Sequence, residues 1–167
     1  AERTASRDLI TAHLFRLFSC QLLLPPMPQR SADATWTGPL AEGSGTMSVE
    51  SGAYNGSYSF HSRFEDGEAS NPEELIAAAH AGCFSMALSN VLDEAGFSPD
   101  SVHTTADVTL RMVDGDPTIT RVFLTTKATV PDLDDDTFQQ HAEAAKEGCP
   151  VSKALAGVEI DLDASLA

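Results

Sequence analysis

The segment from residue 75 to residue 92 contains no Lys, Arg, Asp or Glu, and it limits the possible folds more than any other feature. Small and apolar residues dominate it, which predicts a helix that is apolar on every side and therefore buried on every side. A few polar side chains favour a protein interior over a lipid bilayer: His80, Ser85, Ser89 and Asn90. In a chain of 167 residues, a helix enclosed on every face suggests that a second subunit covers part of it, so we predict an obligate homodimer.

The start and end of this helix are marked in the sequence. Asn71 is a favourable N-cap residue, Pro72 suits the first helical position, and Glu74 falls where a capping box places its acid. Gly96 provides a C-terminal stop. The helix is therefore predicted from Pro72 to about residue 95.

The rest of the chain predicts an α+β fold. β-favouring residues indicate three strands before the helix, at about 31–40, 44–52 and 56–64, with Asn55-Gly56 as a hairpin turn. Period-two patterns and turn residues predict the later elements: strands at about 102–113, 118–130 and 158–163, a helix over 134–147, and a helical turn from Cys149-Pro150 to about residue 156. The order βββ-α-ββ-α-β with a buried central helix is typical of α+β proteins, not of parallel βαβ folds.

Charge is unevenly distributed along the chain. The net charge of -15 argues against nucleic acid and anionic membranes as partners. Residues 1–30 nevertheless carry four Arg and two acids, followed by 10 − 4 = 6 cations and 25 − 2 = 23 acids. We therefore separate a domain at 31–167 from an extension at 1–30, in which residues 1–26 come from cloning or upstream translation and the natural chain begins at Met27. A targeting segment or accessory helix is the alternative. Cys20 lies in this extension and receives no catalytic role.

The cysteines are the first candidates for chemistry. Three cysteines cannot all pair within one chain, which favours a reducing compartment and a cytoplasmic location. Cys83 lies in the uncharged helix, where a free cysteine is often only a packing residue. Cys149 precedes Pro150 at a predicted helix start, where free N–H groups stabilise a thiolate. A small residue accommodated in a turn explains Cys149 equally well.

Three further residues have structural explanations beside functional ones. His80 lies three residues before Cys83 on one helix face, and together with Cys149 could bind zinc, although a fourth ligand is not evident. A buried, hydrogen-bonded histidine explains His80 better. Arg63 is predicted at the end of a strand and could pair with a thiolate or carboxylate, whereas Glu73 in the first helical turn also favours the helix dipole. We expect no metal and no cofactor.

Two motifs resemble those of a known family. The segment 71–76, Asn-Pro-Glu-Glu-Leu-Ile, followed by 80–88, His-Ala-Gly-Cys-Phe-Ser-Met-Ala-Leu, closely resembles the signature of the OsmC (osmotically inducible protein C) family. The segment 147–152, Glu-Gly-Cys-Pro-Val-Ser, resembles its second motif. The similarity extends over about 31–166 and is greater to OsmC proper than to the related organic-hydroperoxide-resistance (Ohr) branch.

This resemblance implies an intertwined homodimer with active sites at the subunit interface. It implies reduction of organic hydroperoxides, and less efficiently of hydrogen peroxide, with Cys83 as the attacking cysteine and Cys149 as the resolving one. Arg63 and Glu73 match the active-site arginine and glutamate of the family. An external dithiol, for which the family suggests a lipoylated protein, would reduce the resulting disulfide.

Helix geometry adds an expectation about Glu73. It lies ten residues before Cys83, so on one continuous helix the two are separated by roughly 15 Å. If both serve one site, Glu73 should come from the partner subunit. Two other functions stay open: a non-catalytic stress or ligand-binding protein on the same fold, and a zinc protein.

Overall fold

The computed structural model of the protein describes residues 27–167. Residues Ala32–Ala167 form one compact unit. Cys20 and nearly all of the predicted extension at 1–30 lie outside the described residues. Their interpretation therefore stays a prediction.

The first three strands form a small antiparallel sheet that adds nothing to the hydrophobic core. Strands β1 (Ala32–Thr37), β2 (Ser44–Val49) and β3 (Asn55–Ser59) pair in the order β1-β2-β3. No residue of these strands belongs to the core cluster of the described chain. Its larger apolar side chains, Trp36, Met47, Val49 and Tyr58, are only half-buried.

The predicted hairpin turn at Asn55-Gly56 is wrong. Both residues lie within β3, where they pair with Ser48 and Met47. The chain reverses just before them, and Gly52 has the positive φ of 75° that this turn requires. Gly56 is used for close packing, since an added Cβ would collide with the Tyr54 side chain.

The third strand is shorter than predicted, because a helical turn replaces its second half. Helix α1 (Phe60–Phe64) begins at Ser59, whose hydroxyl accepts from the Ser62 N–H while the Ser62 hydroxyl accepts from the Ser59 N–H. This reciprocal cap fixes a helix start. Arg63 therefore lies in a short helix, not at the end of a strand, and this corrects its predicted setting.

The uncharged segment forms helix α2 (Pro72–Glu94), as predicted. The Asn71 side chain accepts from the Glu74 N–H at 2.8 Å, and the chain leaves the helix at Gly96 with φ 88°. The helix is long and apolar enough to cross a membrane by length and composition. Its inner face instead supplies the core of this domain, with Phe84, Leu88 and Leu92 fully buried.

A second sheet covers that inner face. Strands β4 (Ser101–Val113) and β5 (Asp116–Thr129) form an antiparallel hairpin, and β6 (Glu159–Leu166) lies parallel to β5. Helix α3 (Asp135–Gly148) packs against α2 and β6, and the short α4 (Pro150–Ala154) packs against α2 and α3. The α+β class with a central helix is confirmed, although the short α1 extends the predicted element order.

Candidate active site

Two thiols from distant parts of the sequence meet beside the middle of α2. Cys83 lies on that helix, and Cys149 is the cap residue between α3 and α4. Both are free cysteines, and their side chains are close enough for each thiol to shift the pKa of the other. Cys83 is half-buried, whereas Cys149 has no exposed surface. Only Cys83 is therefore open to a molecule arriving from solvent.

The surroundings of the two sulfurs shift their acidities in opposite directions. Burial raises the pKa of the Cys83 thiol, the adjacent Cys149 raises it further, and the Val151 N–H offsets part of this rise. Burial alone would also raise the pKa of Cys149. The Ser152 N–H, the Cys83 thiol and the Ser152 hydroxyl outweigh that effect and hold the pKa of Cys149 below its ordinary value.

The start of α4 explains this contrast. In its thiol form Cys149 makes no capping hydrogen bond, but the free N–H groups of Val151 and Ser152 are close enough to stabilise a thiolate there. Pro150 suits the first helical position because it has no N–H to satisfy. Within the single chain, negative charge is therefore best accommodated on the Cys149 sulfur.

A buried histidine lies directly behind the thiols. His80 has no exposed surface, and its Nε2 lies 2.8 Å from the Ser152 hydroxyl. Burial lowers the pKa of His80, which keeps the ring neutral near pH 7. The hydrogen-bonded interior histidine preferred from the sequence is what the structure contains. Ser152 was not singled out from the sequence. It lies three residues after Cys149 on a helical turn, just as His80 lies three residues before Cys83, so the same spacing argument could have pointed to it.

A second polar group lies at the N-terminal end of α2. Arg63 Nη2 and Nε donate to Glu73 Oε1 at 2.8 and 3.1 Å, and Nε also lies 3.3 Å from Oε2. Glu73 is 8% exposed. A guanidinium fork on one carboxylate is a rigid, charge-assisted arrangement. It orients Arg63 and leaves one terminal nitrogen, Nη1, outside the pair with Glu73.

The two groups do not meet within one chain. Because α2 is continuous from Pro72 to Glu94, Glu73 and Cys83 are separated along it by roughly 15 Å. Arg63 and Glu73 instead line an open cleft of about 340 Å³, with Ala106, Val108 and Leu110 of β4 on its other side. The structure thus brings the four candidate residues together as two pairs, Cys83 with Cys149 and Arg63 with Glu73.

Zinc finds no support in this geometry. Across residues 27–167, no group of three or more His, Cys, Asp or Glu side chains is arranged to hold a metal ion. His80 directs its Nε2 to Ser152, not to a position between the sulfurs.

Comparison with known proteins gives a consistent result. The family model described as OsmC-like protein matches residues 65–163. The chain is 50% identical over 138 residues to the Peroxiredoxin OsmC of Escherichia coli (strain K12), covering 82% of this chain and 96% of that protein.

Solved structures agree in fold. The organic hydroperoxide resistance protein OhrB of Bacillus subtilis superposes with a TM-score of 0.62 at 29% identity, covering 82% of this chain and 98% of that one. An organic hydroperoxide resistance protein OsmC from Legionella pneumophila gives 0.62 at 23% identity, covering 84% and 99%. At that identity the second comparison speaks for the fold alone.

Proposed function

Since the chain belongs to the OsmC family, we propose that it is a peroxiredoxin-like enzyme that reduces organic hydroperoxides and, more slowly, hydrogen peroxide. Its relatives are named as a peroxiredoxin and as organic hydroperoxide resistance proteins. The observation that supports this most strongly is the proximity of the Cys83 and Cys149 thiols, each of which shifts the pKa of the other. Two free thiols within reach of each other can form a disulfide, provided that an oxidant first activates one of them.

Cys83 is the residue that attacks the peroxide, because it is the accessible thiol of the two. Its thiolate attacks the distal peroxide oxygen, the O–O bond breaks, and the departing alkoxide takes up a proton to become the alcohol. Cys83 is then a sulfenic acid. The Cys149 thiolate displaces hydroxide from the Cys83 sulfur, which gives the disulfide and, with one proton, water.

An external dithiol completes the cycle. Its thiolate attacks the disulfide, and after a second exchange Cys83 and Cys149 are thiols again while the reductant is oxidised. We propose a lipoylated protein as that reductant, since a dihydrolipoyl group presents two thiols on a reaching arm. Such chemistry needs a reducing compartment, so we place the enzyme in the cytoplasm. The two sulfur atoms carry the redox change, and the chain needs no cofactor for it.

The attacking thiolate needs a cation, and within residues 27–167 of its own chain no cation is among the groups that shift the pKa of Cys83. Burial raises the pKa of Cys83 in the single chain, and the uncharged segment around it holds no Lys or Arg. Arg63 is always protonated, and Glu73 holds it in a fixed orientation. We propose that Arg63 of the partner subunit faces Cys83 and that Glu73 of the partner subunit positions it.

The surface of α2 supports such a homodimer. Its outward face carries no charge over the uncharged segment, and Ala78, Gly82 and Met86 recur on it every four residues, with Met86 77% exposed. The cleft beside Arg63 and Glu73 is open, and the β1-β2-β3 sheet adds nothing to its own chain's core. A second copy that packs on α2 would cover these surfaces together and would complete both sites.

The test is the fate of the two thiols after one equivalent of cumene hydroperoxide. We expect mass spectrometry to find an 83–149 disulfide and one equivalent of cumyl alcohol. Cys83→Ser should consume no peroxide, whereas Cys149→Ser should react once and stop at the sulfenic acid, which dimedone traps. If the parent chain consumes no peroxide, the non-catalytic stress or ligand-binding function replaces this proposal.

A further inference from the structure

His80 and Ser152 form a buried pair that the reaction above does not use. His80 Nε2 lies 2.8 Å from the Ser152 hydroxyl, and the two residues are 0% and 7% exposed. Ser152 lies three residues after Cys149, in the helix that Cys149 caps, and its hydroxyl is among the groups that lower the pKa of the Cys149 thiol. A line of polar atoms therefore runs from the imidazole of α2 to the sulfur at the start of α4.

The other ring nitrogen indicates the direction of these hydrogen bonds. His80 Nδ1 is buried and has no hydrogen-bond partner. A neutral imidazole has one N–H and one lone pair, and an unmatched buried N–H is rarer than an unmatched acceptor. The proton is therefore best placed on Nε2, which donates to Ser152 Oγ. The serine hydroxyl hydrogen is then free to point at Cys149.

We propose that His80 and Ser152 are positioning residues for the resolving thiol, with His80 holding the Ser152 hydroxyl so that it donates to the Cys149 sulfur. This inference rests on the proposed peroxidase reaction. Its effect falls on the second step, in which the Cys149 sulfur bonds to the Cys83 sulfur and the S–O bond of the sulfenic acid breaks. The departing hydroxide takes the proton that Cys149 has given up, so no net proton passes through Ser152.

Acidity at the site agrees with this arrangement. The Ser152 hydroxyl is one of the groups that hold the pKa of Cys149 low, and burial keeps His80 neutral. The segment of α2 facing the thiols carries no charged residue. The neighbouring charged groups of α3 and α4 lie on partly or fully exposed positions: Lys146, Glu147 and Lys153. These are the same in every variant compared below.

The experiment separates the two chemical steps in single turnover. All chains carry Cys20→Ser, so that two thiols remain, and each is mixed with one equivalent of cumene hydroperoxide and quenched at intervals. Dimedone adducts report the Cys83 sulfenic acid, and mass spectrometry reports the 83–149 disulfide. In Ser152→Ala we expect sulfenic acid formation within about twofold of the parent and disulfide formation slowed about tenfold, the loss expected for a hydrogen bond to an ionised group.

Further variants test whether the two residues act as one unit. His80→Leu should slow disulfide formation as much as Ser152→Ala, and the double variant should be no slower than either single one. His80→Gln, which keeps an N–H donor, should restore the rate to within about threefold of the parent. Ser85→Ala is the matched control, because it removes a partly buried hydroxyl from α2, bonded to Thr104 at 2.8 Å, without touching Cys149. It should react like the parent in both steps.

The pH profile of disulfide formation provides a readout that loosened packing would not move. Its midpoint should rise by about one unit in Ser152→Ala and stay in place in Ser85→Ala. Disulfide formation at the parent rate and midpoint in Ser152→Ala overturns the inference alone. A parent that forms no disulfide overturns the proposed function and this inference with it. Ser152→Ala removes a single oxygen, so it remains decisive if His80→Leu does not fold.

Discussion

At the scale of single residues, burial in uncharged surroundings explains the acidity of most groups at the thiol site. His80 is completely enclosed, and its one hydrogen bond is to a neutral hydroxyl. Nothing in that arrangement favours an imidazolium, because charging a buried ring requires desolvating the charge. The same apolar setting opposes ionisation of Cys83. Around His80 and Cys83 the interior therefore favours the neutral forms, whereas N–H groups face the Cys149 sulfur and the buried Glu73 carboxylate is paired with Arg63.

Stability should consequently depend on pH through His80. Burial lowers the pKa of His80 in the folded state, whereas in the unfolded chain it is about 6.5. Below that pH the unfolded state binds a proton that the folded state does not. The contribution is therefore intact above about pH 6.5 and is lost as pH falls, at up to about 1.4 kcal/mol per pH unit.

The measurement is urea unfolding of the parent and of His80→Gln at about pH 7 and about pH 5.5. Between these conditions we expect the parent to lose about 1 kcal/mol more than the variant, which has no imidazole to charge. Acidic groups that titrate in this range affect both chains alike and cancel in the difference. Equal losses in the two chains would show that the imidazole also binds its proton in the folded state.

The sequence pointed to the candidate residues themselves but not to the side chains that they contact. His80 and Cys83 were placed on one helix face by their spacing, and the structure keeps them there. The contact of Cys83 with Cys149 and that of His80 with Ser152 join distant segments. Helical period alone contains no information about such contacts, so the first followed only from family resemblance and the second was missed.

At the scale of elements, the junction between α1 and α2 determines where Arg63 lies. The Ser62 hydroxyl donates to the Ser70 carbonyl at 2.8 Å, and Asn71 Nδ2 donates to the Ser62 carbonyl at 2.9 Å. These bonds hold the short helix against the start of the long one. Arg63 then reaches Glu73, in the first turn of α2. A five-residue helix has little stability of its own, so its orientation depends on these bonds.

Asn71 serves both helices, and two substitutions should separate its roles. Asn71→Ala removes the cap on Glu74 N–H and the bond to Ser62, so we expect the free energy of unfolding to fall by about 1–2 kcal/mol. Asn71→Asp keeps the capping oxygen but loses the donor to Ser62. It should retain most of the stability while its peroxidase activity falls several-fold, as Arg63 loses its fixed position. Urea unfolding and initial rates with cumene hydroperoxide give both quantities. Parent activity in Asn71→Asp would show that Arg63 is positioned without this bond.

Element prediction succeeded where the local signal was unambiguous and failed where two patterns overlapped. The cap at Asn71 and the glycine stop at Gly96 defined α2 nearly to the residue. Phe60 and Phe64 were assigned to a strand because aromatic residues favour β structure. Their four-residue spacing also suits one face of a helix, where their rings lie 4.9 Å apart. The reciprocal hydrogen bonds between Ser59 and Ser62 favour the helix over the strand. These bonds are seen only in the structure.

At the scale of the whole molecule, the single chain contains the two halves of the proposed active site at separate places. The thiols lie beside the middle of α2, and the Arg63–Glu73 pair lies at its N-terminal end. In a symmetric dimer whose α2 helices pack in opposite directions and cross near Ala78, midway between Glu73 and Cys83, the N-terminal end of one helix would lie near the middle of the other. Each site would then take its thiols from one chain and its guanidinium from the other.

Mixed dimers test this arrangement directly. Arg63→Ala and Cys83→Ser chains should each be inactive alone, but a mixed dimer would have one intact site, with Cys83 from the first chain and Arg63 from the second. After random exchange of subunits we expect about a quarter of the parent activity, since half of the dimers are mixed and each has one site of two.

A mixture of Cys83→Ser and Cys149→Ser chains is the matched control. It should stay inactive in steady state, because these two thiols meet within one chain and no mixed dimer unites them. Differently tagged chains and native mass spectrometry establish that exchange has occurred. If exchange is complete and the Arg63→Ala mixture stays inactive, Arg63 does not act on the thiols of the partner subunit.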